Sequence, residues 1–127
     1  MDKATIMKSL IHLEEAAMLI LSIYILYVLK VEWWIYILLV FAPDISMLAY
    51  LAGNKTGAIL YNFFHHKAVA VSVFLVGCLI QSIPLQIAGA VLFGHSSMDR
   101  IFGYGLKFFS GFRYTHLGQI GPANNNK

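Results

Sequence analysis

Two side chains that can hold a metal ion or transfer a proton, His95 and Asp99, lie four residues apart near the end of a long apolar run. At that spacing they share one face of a helix. Imidazole binds zinc, iron, copper and nickel, carboxylate suits harder cations, and both groups serve in acid–base catalysis. The pair therefore predicts one side of a polar site at the end of a hydrophobic helix.

Further acids and histidines interrupt the other apolar stretches. Asp44 follows Pro43, and His65 follows Asn62 by three residues. A charged group at the bilayer centre costs at least about 2.5–3.5 kcal/mol on insertion scales, so several of them should face one another, a cavity or a cation. Facing helices build metal sites from such side chains. We predict a divalent metal ion (zinc, iron or manganese) with these ligands: His65, His95, Asp99 and His116.

The remaining polar residues have predicted roles beside that metal. Asp44 or Glu15 would act as general base, and Asp99 is counted with them as catalytic. Arg100 and Lys107 would lie at lipid phosphates, because arginine binds phosphate through parallel hydrogen bonds. The predicted cofactor-binding residues are Asn62, Arg100 and Lys107.

Each polar group also has a purely structural interpretation. Glu15 lies near a helix end and fits the headgroup region. Asp44 fits a helix cap after a kink at Pro43. Asp99 and Arg100 fit an interfacial ion pair, which contributes little stability. All of these groups fall at one depth, however, and that shared depth favours a common site.

Two geometric expectations follow from the shared site. The side chains of Asp44, His65, His95 and Asp99 should surround an interior cavity of a few hundred cubic ångströms, the usual size of a ligand pocket. Adjacent helical residues point about 100° apart. Arg100 should therefore reach away from the site, toward headgroups or the C-terminal tail.

The composition is that of an integral membrane protein. Of 127 residues, 59% are hydrophobic and 12% are charged, whereas soluble domains have about a quarter charged residues. The scattered basic residues do not suggest nucleic-acid binding, and the single cysteine excludes an intrachain disulfide. We predict one domain over residues 1–121 and a disordered end over residues 122–127.

Four apolar segments approach the length of about 20 residues that a membrane helix needs. They cover residues 10–29, 33–51, 57–80 and 83–102. Short breaks separate them, which predicts an all-α, up-down bundle of four transmembrane helices. The glycine- and aromatic-rich tail that follows is predicted to lie along the membrane interface.

The distribution of basic residues predicts the orientation of the bundle. Lys30 alone falls on one side, and Lys67 falls inside the third span. Because cytoplasmic loops carry an excess of Lys and Arg, both termini are predicted to be cytoplasmic. The basic residues on that side are Lys3, Lys8, Lys55, Arg100, Lys107, Arg113 and Lys127.

Several motifs together resemble a family of small bacterial integral membrane proteins known as a domain of unknown function. They are "FAPDISMLAYLAG", "GAILYNFFHH", "SSMDRIFGYGLKF" and "FRYTHLG". The resemblance covers residues 10–121 and implies a four-helix protein of the bacterial inner membrane, without an established activity. The motif positions are Asp44, Ser46, Tyr50, Gly53, Tyr61, Asn62, His65, Asp99, Arg100, Gly103, Tyr104, Gly105, Lys107, Thr115 and His116.

A fainter similarity to bacterial membrane-bound metal-dependent hydrolases rests on "APD" and "THLG", although Ile45-Ser46 stands where those proteins have a second acid. The first functional hypothesis is accordingly a metal-dependent hydrolase of a lipid or amphiphile. The alternative is a non-enzymatic component, as a homo-oligomer, that transports protons, ions or small molecules. A third is haem binding by His65 and His95.

Overall fold

The computed structural model describes residues 2–103, 114–115 and 117–119. The described part of the chain is almost entirely helical, which confirms the predicted all-α class. Two short strands of two residues each, β1 (Tyr114–Thr115) and β2 (Gly118–Gln119), pair in antiparallel fashion. The helices are α1 (Lys3–Val28), α2 (Trp33–Phe41), a 3₁₀ helix (Ala42–Ala52), α3 (Asn54–His65), α4 (Lys67–Leu79) and α5 (Ile83–Ile101).

Two of these helical stretches are long and apolar enough to cross a membrane: Lys3–Val28 and Trp33–Ala52. A third span results if Asn54–His65 and Lys67–Leu79 are counted as one. Large apolar side chains cover the outside of these helices; Leu51 is 89% exposed and Leu79 is 83% exposed. Exposed apolar surface of this extent indicates membrane association. The structure thus supports two or three of the four predicted membrane spans.

The first helix begins earlier than the sequence predicts. The Asp2 carboxylate accepts a 2.7 Å hydrogen bond from the Thr5 backbone N–H and caps the helix at Lys3. This bond satisfies one of the backbone donors that a helix start leaves unpaired. The helix therefore extends beyond its apolar stretch.

The third predicted span, a single helix over residues 57–80, is instead broken at His66. Helices α3 and α4 meet there at 51°. The His66 backbone is extended, and its side-chain Nδ1 accepts a 3.1 Å hydrogen bond from the Ala68 N–H, which caps α4. A residue that caps a new helix cannot continue the preceding one. The break leaves His65 as the last residue of α3.

The second predicted span changes its helical form midway. Helix α2 ends at Phe41, and the chain continues as a 3₁₀ helix with Pro43 in its first turn. Proline has no N–H to give to the preceding turn and suits a helix start. The 3₁₀ helix ends before Gly53, whose φ of 120° favours glycine. Asp44 lies in the first turn of this segment.

Helix α5 lies against the other helices and positions most of the site. It runs antiparallel to α1, and the Ser22 hydroxyl donates a 2.6 Å hydrogen bond to the Ala90 carbonyl. Gly94 allows this close packing, because a Cβ atom there would meet Ser22 Cβ of α1 at 3.0 Å and Leu39 Cδ1 of α2 at 2.8 Å. The apolar core lies on one side of this contact and consists of Leu26, Ile35, Leu39, Ala90 and Val91.

Candidate metal centre

Four side chains from three helical segments meet at one point in the protein: Asp44, His65, His95 and Asp99. Each offers one ligand atom, and these atoms all lie within 4.8 Å of one another. The Nε2 atoms of the two histidines are 3.1 Å apart. Each Nε2 also lies 3.1 Å from Asp44 Oδ1. The convergence predicted from the sequence is therefore present, with the 3₁₀ helix, α3 and α5 supplying the ligands.

Asp99 completes the cluster from the same face of α5 as His95. Its Oδ2 atom lies 3.3 Å from His65 Nε2, and its Oδ1 atom lies 3.5 Å from His95 Nε2. The Asp99 carboxylate thus turns one of its two oxygens toward the His65 imidazole and the other toward the His95 imidazole. The shared face expected from the four-residue spacing is confirmed.

Backbone carbonyls fix which nitrogen of each imidazole carries the proton. His65 Nδ1 lies 2.8 Å from the Tyr61 carbonyl oxygen, and His95 Nδ1 lies 2.8 Å from the Leu39 carbonyl oxygen. A carbonyl oxygen only accepts hydrogen bonds, so each Nδ1 must donate. In a neutral imidazole this leaves a lone pair on Nε2. Both lone pairs therefore point into the cluster.

These four acceptor groups fit a divalent metal ion. Without a cation or extra protons, two imidazole lone pairs and two carboxylates would repel one another at contact distance. Around a tetrahedral metal with bonds of about 2.0–2.2 Å, neighbouring ligand atoms are about 3.3–3.5 Å apart. The five separations described above, 3.1–3.5 Å, are close to these values, and one ligand atom from each of the four residues lies within 4.8 Å of the others. Imidazole and carboxylate ligands suit zinc, iron and manganese.

A tyrosine orients two of the proposed ligands. The Tyr61 hydroxyl donates a 3.2 Å hydrogen bond to Asp99 Oδ2. Its ring stacks on the His65 ring, with centroids 3.8 Å apart and planes 9° from parallel. Hydrogen bonds to ligand side chains are the usual means of holding a metal site in one geometry.

The helix break also contributes to the site. Because α3 ends at His65, its backbone carbonyl has no partner within a continuing helix. The Ser96 hydroxyl donates to this carbonyl at 2.9 Å, and Arg100 Nη2 donates to it at 3.2 Å. Helix α5 therefore holds the His65 backbone as well as its imidazole.

The family comparison covers all four ligands. The chain matches the family described as "Domain of unknown function (DUF4260)" over residues 8–120. The chain belongs to the DUF4260 family. No curated protein and no solved structure matches it. The predicted membership is confirmed, and the site of this DUF4260 protein must be interpreted from its own geometry.

Burial differs among the four ligands. The side chains of His65 and His95 are fully buried, and that of Asp99 is 8% exposed. The Asp44 side chain is 34% exposed. The approach to the cluster in this DUF4260 chain is therefore past Asp44, which lies on the irregular 3₁₀ helix.

Four other predicted site residues lie outside the cluster or outside the described residues. The Glu15 carboxylate forms an ion pair with the Lys67 ammonium instead of facing the four ligands. Asn62 lines a shallow groove together with His66. His116 and Lys107, predicted as ligand and binding residue, lie outside the described residues.

Two expectations about the site's shape are corrected by the structure. The four ligands do not surround a cavity of a few hundred cubic ångströms, because their side chains reach each other at 3.1–3.5 Å and leave room only for an ion. Arg100 does not point away from the site, because it donates to the His65 carbonyl. Because α3 ends at His65, this carbonyl has no partner within a continuing helix and accepts the hydrogen bond from Arg100.

The same distances do not fit haem. The two axial nitrogens of a haem iron lie on opposite faces of the ring, about 4 Å apart at bonds of about 2 Å. The imidazole nitrogens here are 3.1 Å apart, and the two rings meet edge to face. A porphyrin plane has no space between them.

Sequence reasoning missed two contributors to the site, Tyr61 and the Leu39 carbonyl, and also the partner of Glu15, Lys67. Tyr61 belongs to the motifs that resemble the family, and it lies four residues before His65. This spacing already indicates that Tyr61 and His65 share one face of a helix. Lys67 is a basic residue inside an apolar stretch, which signals an acidic partner in another helix. The Leu39 carbonyl has no such signal, because any residue could supply a backbone oxygen.

Proposed function

We propose that this protein is a membrane-embedded metalloprotein that binds a divalent metal ion through His65, His95, Asp44 and Asp99. The observation that supports it is the convergence of two imidazole lone pairs and two carboxylates, in which hydrogen bonds from outside the cluster orient both imidazoles and Asp99. Such an arrangement needs a positive charge at its centre.

We further propose that the site is hydrolytic and acts on a lipid-like substrate. A bound zinc, iron or manganese ion would polarise the scissile group and activate water. The two buried histidines and Asp99 would hold the ion. Asp44, as the most exposed ligand, would face the substrate and accept a proton. Glu15 suits the base role less, because Lys67 already neutralises it.

An apolar groove beside the cluster supports an amphiphilic substrate. It includes Pro43 and Phe64, the residues that directly precede the ligands Asp44 and His65. Its other lining residues are apolar and come from α2, the 3₁₀ helix and α5: Leu38, Ala42, Pro84, Ile87, Ala88, Val91 and Leu92. An acyl chain in this groove would bring its polar end toward Asp44.

Metal analysis of the detergent-purified protein tests the first proposal. We expect about one zinc, iron or manganese ion per chain, since the four ligand atoms can share a single ion. His65→Ala and His95→Ala should each lower the metal content at least about tenfold, because a metal ligand is lost. Metal-free wild-type protein, or unchanged content in both variants, would contradict the site.

The neighbouring His66 provides a matched control. Its exposed side chain caps α4 and does not face the cluster. His66→Asn keeps a capping oxygen. This variant should retain the wild-type metal content.

Proton or ion transport is the second candidate function. Four titratable side chains in mutual contact could relay protons without a metal. The apolar core formed by Leu26, Ile35, Leu39, Ala90 and Val91 argues against a continuous path through the bundle. Proton flux into liposomes carrying the purified protein would favour this function if the metal content is zero. The predicted homo-oligomer stays a prediction.

A further inference from the structure

A second polar feature lies between the first turns of α1 and the end of α5. It is a cleft of about 500 Å³, here called the basic cleft, lined by Lys8, Ile11, His12, Glu15, Arg100, Gly103 and Leu117. None of these residues belongs to the proposed metal ligands. The basic cleft is therefore a separate site.

The charges of the basic cleft favour an anion. Lys8 and His12 lie four residues apart and share one face of α1. Arg100 faces them from α5. Glu15 is the one acid among the residues that line the cleft, and Lys67 neutralises it through their ion pair. Among the residues that line the cleft, Lys8, Arg100 and the His12 imidazole thus outnumber the single acid.

The kinds of cation present suit a phosphate group. The arginine guanidinium matches two phosphate oxygens at once, and a lysine ammonium adds a point charge. Arg100 is half-buried and one of its nitrogens already donates to the His65 carbonyl, so its position is fixed before a ligand arrives. Pre-organised donors lose less conformational entropy on binding.

Apolar side chains beside these cations favour an amphiphile over a free ion. Ile11 is 49% exposed and Leu117 is 50% exposed, and both line the basic cleft. Ile11 lies on α1, which is long and apolar enough to span a membrane. A lipid would place its phosphate on the cations and its glycerol and acyl carbons on these two side chains.

We propose that the basic cleft binds the phosphate group of an anionic lipid headgroup. The proposal rests on the cleft alone and holds whether or not the metal centre is hydrolytic. The ligand recognised is a phosphomonoester or phosphodiester attached to an apolar tail.

Lipid retention measured by native mass spectrometry tests this proposal. The full-length, detergent-purified protein is mixed with dioleoyl phosphatidic acid or with dioleoylglycerol, which has the same acyl chains and no phosphate. Wild type should retain the phosphatidic acid at least about tenfold better than the diacylglycerol, since charge-assisted phosphate contacts are lost with the latter. Equal retention of the two lipids would overturn the proposal.

The double variant Lys8→Gln/His12→Gln removes one permanent cation and the imidazole from the basic cleft and leaves the proposed metal ligands unchanged. Both side chains are exposed, so the fold should be unaffected. Retention of phosphatidic acid should fall about tenfold, as expected when the phosphate loses one charge-assisted contact and one imidazole contact. Its metal content should stay at the wild-type value, which separates this site from the metal centre. Unchanged lipid retention in the double variant would refute the assignment.

Two further measurements make the test specific. Lys3→Gln removes a positive charge from the same helix but outside the cleft, and it should keep wild-type lipid retention. If it lowers retention as much as the double variant, general surface charge explains the binding and the cleft does not. Displacement of the lipid by millimolar inorganic phosphate would show a site for free phosphate and would overturn the lipid assignment.

Discussion

His65 and His66 are neighbours in the sequence and differ entirely in what their rings do. The His65 ring is buried, with Nδ1 on the Tyr61 carbonyl and Nε2 on the cluster. The His66 ring is exposed and caps α4 through Nδ1. The distinction comes from the helix break between them. Both rings have Nδ1 in a hydrogen bond with the backbone, but His65 turns its Nε2 toward His95 and Asp44.

Tyr61→Phe tests the importance of this outer support at the residue scale. The variant keeps the stacking on His65 and the backbone carbonyl, and it removes only the hydroxyl that donates to Asp99 Oδ2. Loss of such a contact typically lowers metal affinity 10–100-fold, and we expect about tenfold. Competition with a chelator of known affinity would measure it.

Tyr24→Phe is the matched control, because the Tyr24 side chain is 61% exposed on α1. It should leave the metal affinity unchanged. Wild-type affinity in Tyr61→Phe would show that the hydroxyl does not orient Asp99.

At the scale of elements, the site depends on how closely α5 approaches α1 and α2. Gly94 directly precedes His95, and a Cβ atom at this position would meet Leu39 Cδ1 at 2.8 Å. Leu39 also provides the carbonyl that fixes the His95 tautomer. The glycine thus brings together the ligand and the backbone group that orients it.

Gly94→Ala should therefore weaken both packing and metal binding. The added methyl group would push α5 away from α1 and α2, at a cost of about 1–3 kcal/mol for overpacking. We expect a lower thermal unfolding midpoint and at least a severalfold loss of metal affinity. Ala17→Val adds volume at an exposed position of α1 and should change neither. Wild-type stability in Gly94→Ala would contradict the close packing.

The ion pair between Glu15 and Lys67 links α1 to the start of α4. The Glu15 side chain is 12% exposed and the Lys67 side chain is 25% exposed. Lys67 follows the bend at His66, so the pair holds the broken helix against α1. A charge left without its partner in such surroundings is more costly than the loss of the pair itself.

A double-mutant cycle on this pair tests whether Glu15 is structural or catalytic. Glu15→Gln and Lys67→Met should each lower the free energy of unfolding by about 2 kcal/mol, because each leaves a largely buried partner uncompensated. The double variant should recover most of that loss. Additive losses in the double variant would show that the two charges do not interact, and would return Glu15 to the catalytic hypothesis.

The whole molecule separates polar from apolar groups along its length. The ion pair, the metal ligands and the basic cleft lie toward the start of α1 and the end of α5. The apolar core, with Leu26 and Ile35, lies toward the opposite end. Two of the basic residues in the predicted excess, Lys8 and Arg100, lie at this polar end.

Cysteine labelling in cells tests the proposed orientation in the bacterial inner membrane. In a Cys78→Ala background, cysteines at Lys3 and Asn54 should be protected from a membrane-impermeant thiol reagent. Cysteines at Lys30 and Ser82 should react, because the excess of Lys and Arg predicts a cytoplasmic location for the polar end. Labelling at Asn54 from outside would contradict both the orientation and the four-span arrangement.

The sequence by itself determined the properties that depend on local spacing and composition. The helical class follows from the long apolar stretches, and the shared face of His95 and Asp99 follows from their four-residue separation. The shared depth of Asp44 and His65 with that pair was also predictable, because depth follows from position along each helix.

The tertiary structure alone decided which of these groups touch. The bend at His66, the Leu39 carbonyl on His95 and the pairing of Glu15 with Lys67 all depend on how separate helices pack. The periodicity of apolar residues indicates which face of a helix is buried, but it does not indicate which helix packs against that face. The distance between two helices depends on the side chains of both. The site is consequently tighter than the predicted cavity: Gly94 lets α5 pack closely, and the four ligands meet directly.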